Sequence, residues 1–243
     1  VIAAKDSVSG NKSGRETMSS CVVITITPFD LTTFPKTITV DFGNTNCLGN
    51  DGYYRRGAVK MTTTGWYLDS GTVINVTPQN YYVNNNLVQG QKTITNMGHN
   101  TAGNLVYGIF VDGTVSNSSG IVEWTSTRQH EWIEGESTIL NPWDDVYLIT
   151  GTADGTNING EDFHVVVNTP LRIQVGCRWI TQHQPAVLLN QVGDQNRTAD
   201  IDITPAVHPP CSAEDSAIVD PVLGPIQVEI GIGIVKYHLP AVI

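Results

Sequence analysis

From Cys21 to Pro170 the chain breaks into short apolar–polar alternations separated by Gly, Asn and Asp, at spacings of roughly 8–14 residues. Side chains of a strand alternate between two faces, so period-two runs with turn chemistry between them dictate β-strands. The clearest unit runs from Lys36 to Gly65. Ile38 and Val40 alternate with Thr37, Thr39 and Asp41, and Asn50-Asp51-Gly52 tolerates the positive φ of a turn. Val59, Met61 and Thr63 then alternate with Ala58, Lys60 and Thr62. Before this unit, Val22 to Thr27 is β-branched throughout and stops at Pro28. After it come Thr72 to Thr77, a hairpin around Asn84-Asn85-Asn86, Lys92 to Thr95, Leu105 to Val111 and Gly120 to Arg128. No stretch sustains a 3.6-residue apolar period with a cap at each end. The pattern predicts an all-β fold: an antiparallel β-sandwich or barrel-like array of many short strands, disulfide-containing.

At 243 residues the chain is long enough for a large core. The polar, aperiodic residues 1–20 read as a flexible arm, and 21–243 as a single β-rich domain. Two packed halves with a boundary near 170–180 are the alternative organisation. Charged residues make up 15% of the chain, against a usual share of about 25%, so Thr, Asn, Ser and Gly do the solvating. A formal charge of −10 disfavours nucleic acid and anionic membranes as partners. No apolar run reaches the length of a transmembrane helix. Cys21, Cys47, Cys177 and Cys211 are widely spaced and form no C-x-x-C, which points to two disulfides rather than a zinc ribbon. Three pairings are open; Cys21–Cys47 with Cys177–Cys211 closes the two local loops. With no signal peptide before Val1, the chain reads as a mature exported protein whose targeting segment has been removed. Met18-Ser19-Ser20 is a poor lipoprotein cleavage site, so any lipid anchor is expected upstream.

Catalytic motifs fail on their own chemistry. His130-Glu131-Trp132-Ile133-Glu134 starts like H-E-x-x-H, but the fifth residue is Glu134 and the context is a strand, not a helix. Trp143-Asp144-Asp145 offers paired carboxylates, yet neighbours on a strand point to opposite faces and cannot flank one sugar. Neither G-x-S-x-G nor the P-loop pattern occurs. Asp154 to Gly160 is the nearest approach to a calcium loop; aligned on Gly160, the first and last ligand positions fall on Gly155 and Val166, which lack side-chain oxygens. It reads as a hairpin corner. Trp66, Trp124, Trp132, Trp143 and Trp179 read as core, with a sugar-stacking platform as the alternative. Asn11, Asn75, Asn117 and Asn196 sit in N-x-[ST].

Several runs carry a family likeness. Phe34 to Gly43 (FPKTITVDFG), followed by Cys47, Asp51-Gly52 and Arg56-Gly57, resembles exported proteins of Bacteroidota, many of them predicted lipoproteins of unknown function. Asn80-Tyr81-Tyr82-Val83, Trp124 to Arg128, Glu131 to Gly135, Ile149-Thr150-Gly151 and Cys177-Arg178-Trp179-Ile180 continue the likeness in order, over about 20–180. The family implies an exported β-protein and no particular activity. Beyond Ile180 the family's second glycine-rich corner is replaced by Asp202-Ile203-Thr204-Pro205 and His208-Pro209-Pro210-Cys211. A Cys–Asp–Cys order nevertheless occurs twice, in Cys21, Asp41, Cys47 and in Cys177, Asp202, Cys211. Ser7 and Ser216, in Asp6-Ser7-Val8 and Asp215-Ser216-Ala217, resemble the Asp-Ser/Thr-aliphatic acceptor of Bacteroidota O-glycosylation.

The sequence therefore leads us to expect a non-enzymatic structural or adhesion β-protein, extracellular or on the cell surface and outer-membrane associated, with no cofactor and no metal. Its expected partner is protein, through self-association or a surface assembly. The alternatives are a carbohydrate-binding surface protein and a hydrolase with an unrecognised site. In Ile226 to Val235, Ile226, Val228, Ile230, Ile232 and Ile234 share one face. This is either the last core strand or a strand exchanged with a neighbouring subunit.

Overall fold

A computed structural model describes residues 21–49, 52–139 and 141–175, together with the backbone of four short strands further on. Fourteen strands follow in order: β1 (Val23–Thr27), β2 (Lys36–Asp41), β3 (Cys47–Leu48), β4 (Tyr54–Thr63), β5 (Val73–Val83), β6 (Asn86–His99), β7 (Leu105–Asn117), β8 (Gly120–Glu134), β9 (Val146–Thr156), β10 (Asp162–Gln174), β11 (Val187–Gln191), β12 (Thr198–Ile201), β13 (Ile226–Val228) and β14 (Tyr237–Leu239). There is no α-helix among the described residues; two short 3₁₀ turns, Glu136–Thr138 and Pro142–Asp144, interrupt the link from β8 to β9.

The fold is antiparallel throughout, and its main sheet is one open meander. Strands pair in the order β1-β2-β4-β5-β6-β7-β8-β9-β10-β11-β12, with β3 set against the start of β4. β13 and β14 form a separate two-stranded ladder, Ile226 opposite Leu239 and Val228 opposite Tyr237. The antiparallel all-β expectation thus takes the form of a single open sheet. β10 continues through Gln174, paired to β9, with a register shift between Val167 and Leu171.

The strands are longer than the alternation suggested, because several glycines lie inside strands rather than between them. Leu87-Val88 and Lys92 to Thr95 belong to one strand, β6, with Gly90 at φ 111 between them. At Gly57 the β4–β5 register slips, and φ is 82. A Cβ there would lie 2.0 Å from the Asn80 carbonyl oxygen, so only glycine fits the bulge. True turns follow their chemistry. Asn84 and Asn85, at φ 47 and 66, make the two-residue connection between β5 and β6. Asn157 Oδ1 accepts from the Asn159 and Glu161 amides and closes the predicted corner between β9 and β10.

Register places two apolar clusters on the same face. The first joins Phe42, Cys47, Val59, Met61, Val76, Tyr81 and Val83; the second joins Ile94, Leu105, Tyr107, Ile109 and Trp132. The loop 64–72 folds over the second cluster. There Tyr67 stacks on Tyr107 with ring centroids 4.5 Å apart, and its carbonyl accepts from Asn96 Nδ2 at 2.9 Å. Burial pushes both phenols up, that of Tyr67 to about 12. The opposite face is exposed and polar. Across it Thr27, Thr37, Thr62, Asn75 and Thr93 stand in one row. Thr93 Oγ1 donates to Asn75 Oδ1 at 3.0 Å.

Candidate functional site

Each predicted site residue within the described region can now be placed. Cys21 and Cys47 form a disulfide that ties the lead-in of β1 to β3. Cys177, Cys211, Ser7 and Ser216 lie outside the described residues, as do Ile230, Ile232 and Ile234. Ile226 and Val228 are in β13, paired with β14. Of the five tryptophans, Trp132 is in the core, whereas Trp66 and Trp143 are 48% and 36% exposed. Trp179 lies outside the described residues. His130 to Glu134 is strand, as its sequence indicated. No group of three metal-ligating side chains occurs among the described residues.

Three features have the chemistry of recognition. The first is the free edge. No described residue pairs with β1 on the side away from β2. Val23 is 62% exposed there, and in the following loop Phe29 and Leu31 are 72% and 77% exposed. That loop is anchored beneath by Lys36, whose Nζ donates to the Asp30 carbonyl at 2.6 Å. The amides of Thr33 and Thr32 bond the Asp30 carboxylate and hold its pKa well below the usual range.

The second is a half-open groove of about 300 Å³ on the polar face, lined by Met97, His99, Asn100, Gln129, Glu131 and Thr150 among others. Glu131 Oε1 accepts from Asn104 Nδ2 at 2.7 Å and from Asn100 Nδ2 at 2.8 Å. These two amides lower its pKa, so the carboxylate stays ionised and fixed in place. His99 Nε2 bonds Glu136 Oε1 at 2.7 Å at the rim.

The third is a polar strip on the core face. β8 turns Trp124, Ser126, Arg128, His130 and Trp132 toward the side that carries both apolar clusters, where alternation calls for apolar residues. Ser126 Oγ, Arg128 Nε and His130 Nε2 are sealed from solvent without a hydrogen-bond partner among the described residues. Lys92 sits on the same face, opposite Val111. Burial, reinforced by the neighbouring positive charges, pulls His130 down to about 3, so its imidazole is neutral. The same causes bring Lys92 to about 7. At the end of this face, burial and the adjacent Asp144 raise Asp145 to about 6, while the Tyr147 hydroxyl donates to Asp145 Oδ2 at 3.4 Å.

Sequence reasoning missed the third feature. Its only signal was a strand with polar residues on both faces, and which residues share a face follows from register, not from the strand alone. Comparison with protein-family models, with curated proteins and with solved structures gave no match to this chain.

Proposed function

We propose that this chain is a non-enzymatic extracellular β-module that assembles with further copies of itself through the edge at β1. The outer edge of β1, on which no described residue pairs, carries this reading. An unpaired strand edge presents a row of backbone donors and acceptors that templates another strand. Natural edges are commonly blunted by lysine, proline or a bulge, yet VITIT has neither residue, and its pairing with β2 is continuous over five positions. Exposed Val23, Phe29 and Leu31 add apolar contact beside it. The disulfide supports an oxidising compartment, and among the described residues no helix is long and apolar enough to cross a membrane. The resemblance to exported Bacteroidota proteins supports a cell-surface, outer-membrane associated setting.

The test places charge on the edge. Val23→Lys with Thr25→Lys is expected to abolish concentration-dependent assembly in sedimentation velocity while leaving the monomer's Tm unchanged, because both side chains are exposed. Wild-type chain that stays monomeric at its highest soluble concentration, or a double variant that assembles equally well, overturns the reading.

A second reading, glycan binding, is favoured by the polar groove alone. A fixed carboxylate at Glu131 beside Gln129, Asn100 and Thr150 supplies acceptors and donors for hydroxyl groups. Glu131→Ala should then erase any positive spot on a glycan array; an array blank for wild type removes this reading.

A further inference from the structure

The groove on the polar face holds a fixed carboxylate and no counter-charge. Glu131 stands in the ladder between Val106 of β7 and Leu148 of β9, so half-buried apolar side chains flank it on both sides. Met97, at the register shift between β6 and β7, lies across the bare backbone of Gly108, where a Cβ would meet its Sδ at 3.1 Å. Asn100 is itself held: its Oδ1 accepts from the amides of Ala102 and Asn104, each at 3.0 Å, while its Nδ2 donates to Glu131. Both asparagine side chains bond Glu131 Oε1, and no described residue bonds Oε2 or forms an ion pair with this carboxylate. Neither lysine nor arginine lines the groove. Arg172, opposite Leu148 in the ladder, is paired with Glu134 at 2.9 Å, and His99 is bonded to Glu136.

We propose that this groove binds a small aliphatic primary ammonium ion, its charged head on Glu131 Oε2 and its alkyl neck along Met97, Val106 and Leu148. Charge complementarity selects the occupant. A carboxylate held in a partly apolar groove gains most from an opposite charge that also donates hydrogen bonds. An ammonium has three N–H donors, and Gln129 and Thr150 line the groove with further acceptor oxygens. No group of three metal-ligating side chains occurs among the described residues, so a bare metal ion finds no coordination shell here. A volume of about 300 Å³ lies at the small end for ligand sites, which suits a short chain. The inference is independent of the edge at β1. Nor does it rest on the glycan reading of the same groove, which a blank array would remove without touching the ammonium.

The experiment titrates the full chain at pH 7 with n-pentylamine, which is protonated there, and with 1-pentanol as the uncharged control. Nitrogen-correlated NMR follows the side-chain amides of Asn100 and Asn104. Pentylamine should shift both amides saturably at one per chain, with pentanol weaker by about tenfold or more. Ethylamine should bind about threefold or more weakly than pentylamine, because its neck reaches less of the apolar wall. Glu131→Gln keeps an acceptor for both asparagines and removes the charge, so it should bind pentylamine and pentanol alike. Absence of saturable pentylamine binding, equal binding of the two probes to wild type, or an undiminished preference in Glu131→Gln overturns the proposal. The two probes on wild-type chain decide the matter even if that variant fails to fold.

Discussion

Trp132→Ala is expected to cost about 3–5 kcal/mol of folding stability, as large aromatic truncations in packed cores do. The indole is only 4% exposed and stacks on Tyr147 with centroids 5.6 Å apart. It belongs to the cluster of Leu105, Tyr107 and Ile109, and the surrounding strands cannot collapse onto the void because their spacing is fixed by ladder bonds on both sides. Phe110→Ala is the contrasting control. That ring sits on the polar face, 42% exposed, and its loss should cost under about 1 kcal/mol. Urea unfolding of both variants measures the difference; equal losses would mean that the second cluster does not organise the sheet.

Removing the Cys21–Cys47 bond, as Cys21→Ala with Cys47→Ala, should destabilise by about 3–4 kcal/mol in the chain-entropy account, given a sequence separation of 26. The loss should also be local. Cys47 is buried in the first cluster, whereas β1 contributes alternate half-buried and exposed residues and, among the described residues, pairs with β2 only. Amide exchange in β1 and β2 should therefore accelerate more than in β7 and β8, which are flanked on both sides. Uniform acceleration across the sheet would show instead that the bond acts on the whole domain through the unfolded state.

How much of this was legible in the chain depends on the length scale of the physics. Alternation in Val22 to Thr27 and Lys36 to Asp41, and the asparagines at 84–85, act within a few residues, and they became β1, β2 and a hairpin turn. Strand length was less legible, because a glycine inside a strand, such as Gly57 or Gly90, has the same letter as one that makes a turn. The facing of Arg128 and His130 was hidden for a different reason. Two residues apart on a strand always share a face, but whether that face meets Ile109 and Tyr107 or meets water depends on pairing with a distant segment. Asp145 shows the same limit. It reads as a loop acid beside Asp144; Tyr147, two residues on, is visible in the sequence, but only the fold buries the carboxyl.

Along the meander nearly every strand finds its partner in the segment made just before it. Contact order is therefore low for an all-β chain, and the loop-closure entropy that slows sandwich and barrel topologies is small at each step. A chain emerging lengthwise from a translocation channel could add one hairpin at a time to a template already in place, without waiting for its far end. The growing edge would be the vulnerable point throughout, since each newly laid strand is, until the next arrives, an open template for any other chain nearby.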